Sequence, residues 1–147
     1  MKMREKDWSE IKYFSPKENW GEPLLMDRET VFLLDTLRGL FKSPFVVHCG
    51  YERSGHMPDS QHYTGKAADF HVVGLPFRNA VDLMVDVIGS PPGGTGVCGK
   101  IGLGIYPHWT SPGFHLDTRG EFARWGAIVR NGRQVYVSWD EAYEAIG

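Results

Sequence analysis

Little is present in excess in this chain, and each shortage removes a class of protein. Only two cysteines, Cys49 and Cys98, occur in 147 residues. That is too few for a disulfide framework; two free thiols are the expected state, with a single bridge as the alternative. Lysine and arginine number 16 against 18 aspartates and glutamates, a net charge of −2, so the basic footprint of a nucleic-acid binder is missing. No block of like charge reads as a tail or a polybasic membrane patch. No apolar run approaches the ~20 residues needed to span a bilayer. The charged stretch from Met1 to Trp8 leads into no apolar segment, so no signal peptide is expected. Repeats and linkers are absent as well. What is left is a single domain over residues 1–147, long enough to bury a core. It is expected to act as a monomer, without nucleic acid or membrane as partner.

Hydrophobic periodicity then divides the chain. Residues 1–26 read as irregular, punctuated by Ser15-Pro16, Asn19-Trp20-Gly21 and Glu22-Pro23. A helix is expected over 27–41, with Asp27 at its N-cap. Leu33, Leu37, Leu40 and Phe41 form its apolar stripe, while Asp35, Arg38 and Lys42 lie largely elsewhere. Residues 44–51 read as a strand and 52–60 as a loop. A second strand over 66–73 would place Ala67, Asp69, His71 and Val73 on one face and Ala68, Phe70 and Val72 on the other. A second helix follows Pro76, with Phe77, Ala80, Val81, Met84 and Ile88 inward and Gly89 at its C-terminal end. After a Gly/Pro-rich loop over 90–100 come strands at 101–106, 113–118 and 125–137. The last is a hairpin turned at Asn131-Gly132, and Ser138 caps a short final helix. Hairpin-connected late strands and partly segregated helices give an α+β class: an antiparallel sheet with helices packed on one side.

Two segments carry the chemistry. The first is Ser60-Gln61-His62-Tyr63-Thr64-Gly65-Lys66-Ala67-Ala68-Asp69, and the second is Phe114-His115-Leu116-Asp117. Two histidines and a carboxylate are what a catalytic zinc with one open position requires. Gly65 allows a turn between His62 and Asp69, and Ala67 and Ala68 leave room beside the strand. His115 and Asp117, two apart, share a strand face, so pairing of the two strands would bring the polar faces together. Blander readings apply elsewhere. His48 and His56 read as surface or hydrogen-bonded residues, and Asp117 beside Arg119 reads equally as a surface ion pair. Asp69 resists such a reading, because a charge in an apolar strand needs a partner or a metal.

The pattern Ser-x-His-x-x-Gly-x-Ala-x-Asp, met here at Ser60, His62, Gly65, Ala67 and Asp69, resembles the signature of the zinc D-Ala-D-Ala carboxypeptidase family, whose fold is shared with the Hedgehog signalling domain. The later aromatic-His-x-Asp segment, preceded by Ile101-Gly102-Leu103-Gly104-Ile105-Tyr106, resembles its compact single-domain branch. Leu37-Arg38 and Gly50-Tyr51-x-Arg53 fit the same layout, and the likeness runs over roughly residues 14–126. It implies one Zn²⁺ per chain held by His62, Asp69 and His115. The substrate implied is a peptidoglycan stem peptide, cut at D-Ala-D-Ala or L-Ala-D-Glu bonds. Substrate contacts are implied at Ser60 and at Arg53, whose guanidinium fork suits a substrate carboxylate. One departure concerns the base: the family often carries an acid three residues before the last zinc histidine, and Pro112 stands there. Asp117 and His108 are the candidate catalytic groups in its place, with orientation of a ligand as the other role for Asp117 and oxyanion stabilisation for His108. His71 is a weaker candidate for a supporting contact. Without an export signal the expected settings are the cytoplasm or a phage-type lysin released to the wall.

Rival patterns fail on context. The run from Gly94 to Lys100 has the glycines of a nucleotide loop, but it leads to no helix, and Ile101 replaces the hydroxyl needed for Mg²⁺. His115-x-Asp117 lacks the downstream histidine of an iron oxygenase. A zinc-bearing binding module without catalysis is the remaining alternative. Of the five tryptophans, core packing is expected for most and glycan stacking for some.

Overall fold

The computed structural model describes residues 1–89 and 97–147. Six strands form one sheet in the order β1-β2-β4-β3-β5-β6: β1 (Phe45–Cys49), β2 (Ala67–Val72), β3 (Gly102–Tyr106), β4 (Gly113–Asp117), β5 (Ala123–Arg130) and β6 (Arg133–Val137). Among the described residues four α-helices accompany it: α1 (Glu5–Trp8), α2 (Arg28–Phe41), α3 (Phe77–Ile88) and α4 (Trp139–Glu144). The mixed class and the segment order follow the sequence reading, with one correction. The β3–β5 pair is parallel; the other neighbouring pairs are antiparallel. Periodicity locates strands, but it does not encode which strand pairs with which. The Gly/Pro-rich loop expected at 90–100, with most of its nucleotide-loop pattern, lies largely outside the described residues.

One face of the sheet is hydrocarbon. Phe70, Leu103, Ile105, Phe114 and Leu116 are fully buried against Val31, Leu34 and Leu37 of α2 and Ala80, Val81 and Met84 of α3. Ring contacts such as Phe77–Phe114, at 5.3 Å between centroids, tie α3 to β4. Each large side chain so buried stabilises the fold by about 1.5–3 kcal/mol. The final hairpin turns at Asn131 (φ 54°) and Gly132 (φ 74°), as the Asn-Gly pair demands. The Ser138 hydroxyl caps α4 by accepting from Glu141 N at 3.1 Å.

Two expectations need correcting. The α2 stripe is rotated: Val31 and Leu34 are inside, whereas Leu40 is 56% exposed. Asp35 is buried, its carboxylate accepting from Lys12 N at 3.0 Å and Tyr13 N at 2.8 Å. The N-terminal segment supplies these donors, so a charge assigned to the polar face becomes the clamp for residues 1–26. That segment has little regular structure beyond α1 and a 3-10 turn at Pro23–Leu25. It nevertheless inserts Trp8, Phe14 and Trp20 into the core.

Candidate metal centre

The opposite face of the sheet is open, and strand register builds a row of side chains across it. Cys49 pairs with Asp69, Asp69 with His115, His115 with Gly104 and Gly104 with Trp125. Cys49 joins the row through a β-bulge between Val47 and Cys49; strict alternation would have put it inward with Phe45 and Val47. Gly104 leaves the row a gap, because a Cβ there would sit 2.7 Å from the Trp125 indole. The convergence of Asp69 and His115 expected from the sequence is therefore present.

His62 arrives from a 3-10 turn, Gln61–Thr64, on the connection before β2. Ser60 caps that turn, its hydroxyl accepting from His62 N at 3.2 Å. Gly65 ends it at φ 71°, where a Cβ would meet Leu25 O at 2.0 Å, so only glycine fits. His62 is 1% exposed, and its Nδ1 donates to Gly50 O at 2.7 Å. That bond leaves Nε2 as a lone pair. It is buried, lacks a hydrogen-bond partner, and faces Asp69 Oδ1 at 3.3 Å.

His115 faces the same oxygen. Its Nδ1 lies 3.0 Å from Asp69 Oδ1, and its Nε2 lies 2.7 Å from Asp117 Oδ2. His62, Asp69 and His115 thus offer ligand atoms all within 4.8 Å of one another. Two imidazole lone pairs and a carboxylate oxygen repel without a positive charge between them. Separations of 3.0 and 3.3 Å suit a cation with bonds of about 2.0–2.2 Å. This buried group could hold a metal ion.

The cation-free electrostatics show the same demand. Burial opposes the charged form of Asp69, but contacts with His115 and His62 outweigh it and hold the carboxyl well below its usual range. Burial likewise opposes a charged His115, yet Asp117 and Asp69 on its two nitrogens push it up to about 9. A proton takes the place a metal would occupy.

The remaining expected site residues separate. Asp117 is fully buried, so the surface ion-pair reading is wrong. Its oxygens accept from His115 Nε2, Gly102 N, Arg119 N and twice from the Arg119 guanidinium, at 2.7 and 2.8 Å. Five donors on one carboxylate match the orienting role rather than a base facing substrate. His108 is not brought to the centre: it is exposed, and its Nδ1 accepts from Val129 N at 2.8 Å. Arg53 is exposed and outside the cleft lining. Ser60 lines the cleft but spends its hydroxyl on the turn. His71 turns to His48, with 2.6 Å between ring nitrogens.

The cluster lies on the floor of an open cleft of about 740 Å³. Its walls include residues the sequence reading did not select. His56, read as a surface residue, stacks on His62 with centroids 4.2 Å apart. Tyr106 accepts from Trp125 Nε1 at 3.1 Å and stacks on Trp109 at 4.2 Å. Tyr136 completes the aromatic wall. Trp109 and Trp125 are thus the cleft tryptophans, whereas Trp8 and Trp20 serve the core. Cys49 is a free thiol 3.3 Å from Asp69 Oδ2, and burial, then the Asp69 charge, push its pKa up. No helix among the described residues is long and apolar enough to cross a membrane. Compared with protein-family models, curated proteins and solved structures, the chain matches none of them.

Proposed function

We propose that this protein is a zinc-dependent peptidase of peptidoglycan stem peptides, of the D-Ala-D-Ala carboxypeptidase or L-Ala-D-Glu endopeptidase type, with a Hedgehog/DD-peptidase arrangement of its centre. The observation that carries the reading is the buried, unpartnered Nε2 of His62, aimed with His115 Nδ1 at one oxygen of Asp69 on the floor of an open cleft. The Ser60–Asp69 signature and the Phe114–Asp117 segment select this family among metal hydrolases. Nitrogen and carboxylate donors without thiolate suit zinc in a catalytic setting. When bound, zinc supplies Lewis-acid activation of a water nucleophile and of the scissile carbonyl.

The chain's own residues set the rest. Gly50 O fixes the tautomer of His62, and Asp117 holds the Nε2 side of His115, so both inner nitrogens keep their aim. Arg119 anchors Asp117 from behind. Tyr106 keeps its phenolic proton because burial pushes its pKa up, and Trp125 orients it, so it serves as a donor to a substrate oxygen. His56 lines the cleft beside His62. Burial and then the His62 ring hold its pKa below the ordinary imidazole value, so it is neutral near pH 7. It takes the proton-accepting role first assigned to Asp117 or His108. A cleft of this volume lies in the range of small-ligand sites and accommodates a short peptide segment.

The test is mass spectrometry of defined muropeptides incubated with the protein, with chelator, and with chelator followed by zinc. Cleavage that stops on chelation and returns with zinc is expected, and product masses name the bond. Intact muropeptides at full zinc occupancy would overturn the reading in favour of a zinc-bearing binding module.

A further inference from the structure

His62 belongs to a second group of donors. Ligand atoms of Cys49, His56 and His62 also lie within 4.8 Å of one another, and two local features bring them together. The β-bulge turns Cys49 toward Asp69 and His62, with Sγ 3.9 Å from His62 Nδ1. Tyr63 clamps the preceding loop: its hydroxyl donates to His56 O at 2.7 Å and accepts from His56 N at 2.9 Å. That clamp lays the His56 ring on His62, at 13° between planes; because an imidazole lone pair lies in the ring plane, the His56 ring swings out of the stack to share a cation with His62. Cys49 and His56 are each only partly buried, and His56 and His62 line the cleft, so the group is open to solvent on its histidine side.

The two groups differ in kind. His62, Asp69 and His115 offer two imidazoles and a carboxylate, whereas Cys49, His56 and His62 offer two imidazoles and a thiol. Soft cations favour thiolate, and carboxylate suits harder ones. Both need His62, whose Nδ1 is committed to Gly50 O; Nε2 is the one nitrogen with a lone pair, and it binds one cation at a time. We propose that Cys49, His56 and His62 form an alternative site for a soft, thiophilic cation, and that filling it takes His62 from Asp69 and His115. On binding, the Cys49 S–H bond breaks, a sulfur–metal bond forms and the proton goes to solvent, with no change of oxidation state. The ligand set stands on geometry alone; the consequence, loss of peptidase activity, rests on the function proposed above.

The experiment uses the full chain, with thiols reduced, loaded with one equivalent of Zn²⁺ and titrated with Cd²⁺. Sulfur-to-cadmium charge-transfer absorption in the ultraviolet reports the new bond, and a metallochromic chelator reports released zinc. The absorption should saturate at one equivalent while one zinc leaves per cadmium bound. Cys49→Ser should abolish the absorption and Cys98→Ser should leave it intact. His56→Ala, on a surface loop, should raise the cadmium needed for half-release about tenfold or more, the scale on which weaker supporting contacts already act. Absorption that survives Cys49→Ser would overturn the site, and cadmium bound without zinc release would overturn the exclusion. A chain that never takes up zinc would defeat the peptidase reading instead, while the absorption of Cys49→Ser against the unsubstituted chain would still decide the cadmium site.

Discussion

Two pairs of histidines share the open face of the sheet, and their fates differ. His48 and His71 meet across β1 and β2 with ring nitrogens 2.6 Å apart and Trp109 against His48 at 5.3 Å. They satisfy one another near solvent. His62 and His115 are buried, each with its outer nitrogen pinned, one to Gly50 O and the other to Asp117, and both inner nitrogens point at Asp69 Oδ1. Residue type and sheet face are the same. What separates the pairs is whether burial leaves a nitrogen wanting a partner, and a buried unpaired polar group costs enough to make a cation welcome.

The sharpest way to break this contrast is Asp69→Ala. It should abolish stoichiometric zinc binding and lower muropeptide cleavage by about three orders of magnitude or more; full zinc occupancy in the variant, read by elemental analysis, would mean the ligands are misassigned. Asp117→Asn comes next. It keeps the shape but weakens the hold on His115, and zinc affinity should fall about 10–100-fold in a chelator competition.

The metal-free protein gives a pH signature of intermediate size. His115 is raised from 6.5 to about 9 in the folded chain, so its contribution to stability is complete below pH 6.5 and is lost as pH rises through 9. Calorimetry of the chelated protein should show a falling Tm across that window. Zinc occupancy should run the other way, dropping as acid protonates the ligands. A rising Tm without metal would mean His115 is neutral between its carboxylates. The smallest effect belongs to the other pair: His48→Ala and His71→Ala should each change zinc affinity by less than about twofold, the scale of surface substitutions. A tenfold loss in either would erase the distinction drawn here.

The legible and illegible parts of this molecule divide along physical lines. His62, Asp69 and His115 could be read because two short segments fix their spacing, and strand alternation fixes the face of Asp69 and His115. The inward residues of β2 and α3 were legible for the same reason, and so was the Asn131-Gly132 turn, where backbone conformation selects the residues. His56 was not, because the loop over 52–60 has no period; its position depends on the Tyr63 clamp, a contact that no local pattern encodes. Asp35 was misplaced because helical periodicity does not record donors from a distant segment, here Lys12 N and Tyr13 N. The tryptophans of the N-terminal segment fill the core without repeat or amphipathic stripe. The parallel β3–β5 pairing is likewise a property of the whole chain.

The bulge beside Cys49 sets which way the thiol faces. Drawing His48 into the ladder, instead of bulging it out, would impose strict alternation and turn the thiol into the hydrocarbon layer, with His62, Asp69 and His115 untouched in sequence. Whether one residue of an edge strand pairs or bulges thus decides whether the scaffold shows a thiol beside this centre or hides it in the core, a choice made without revising any of His62, Asp69 and His115.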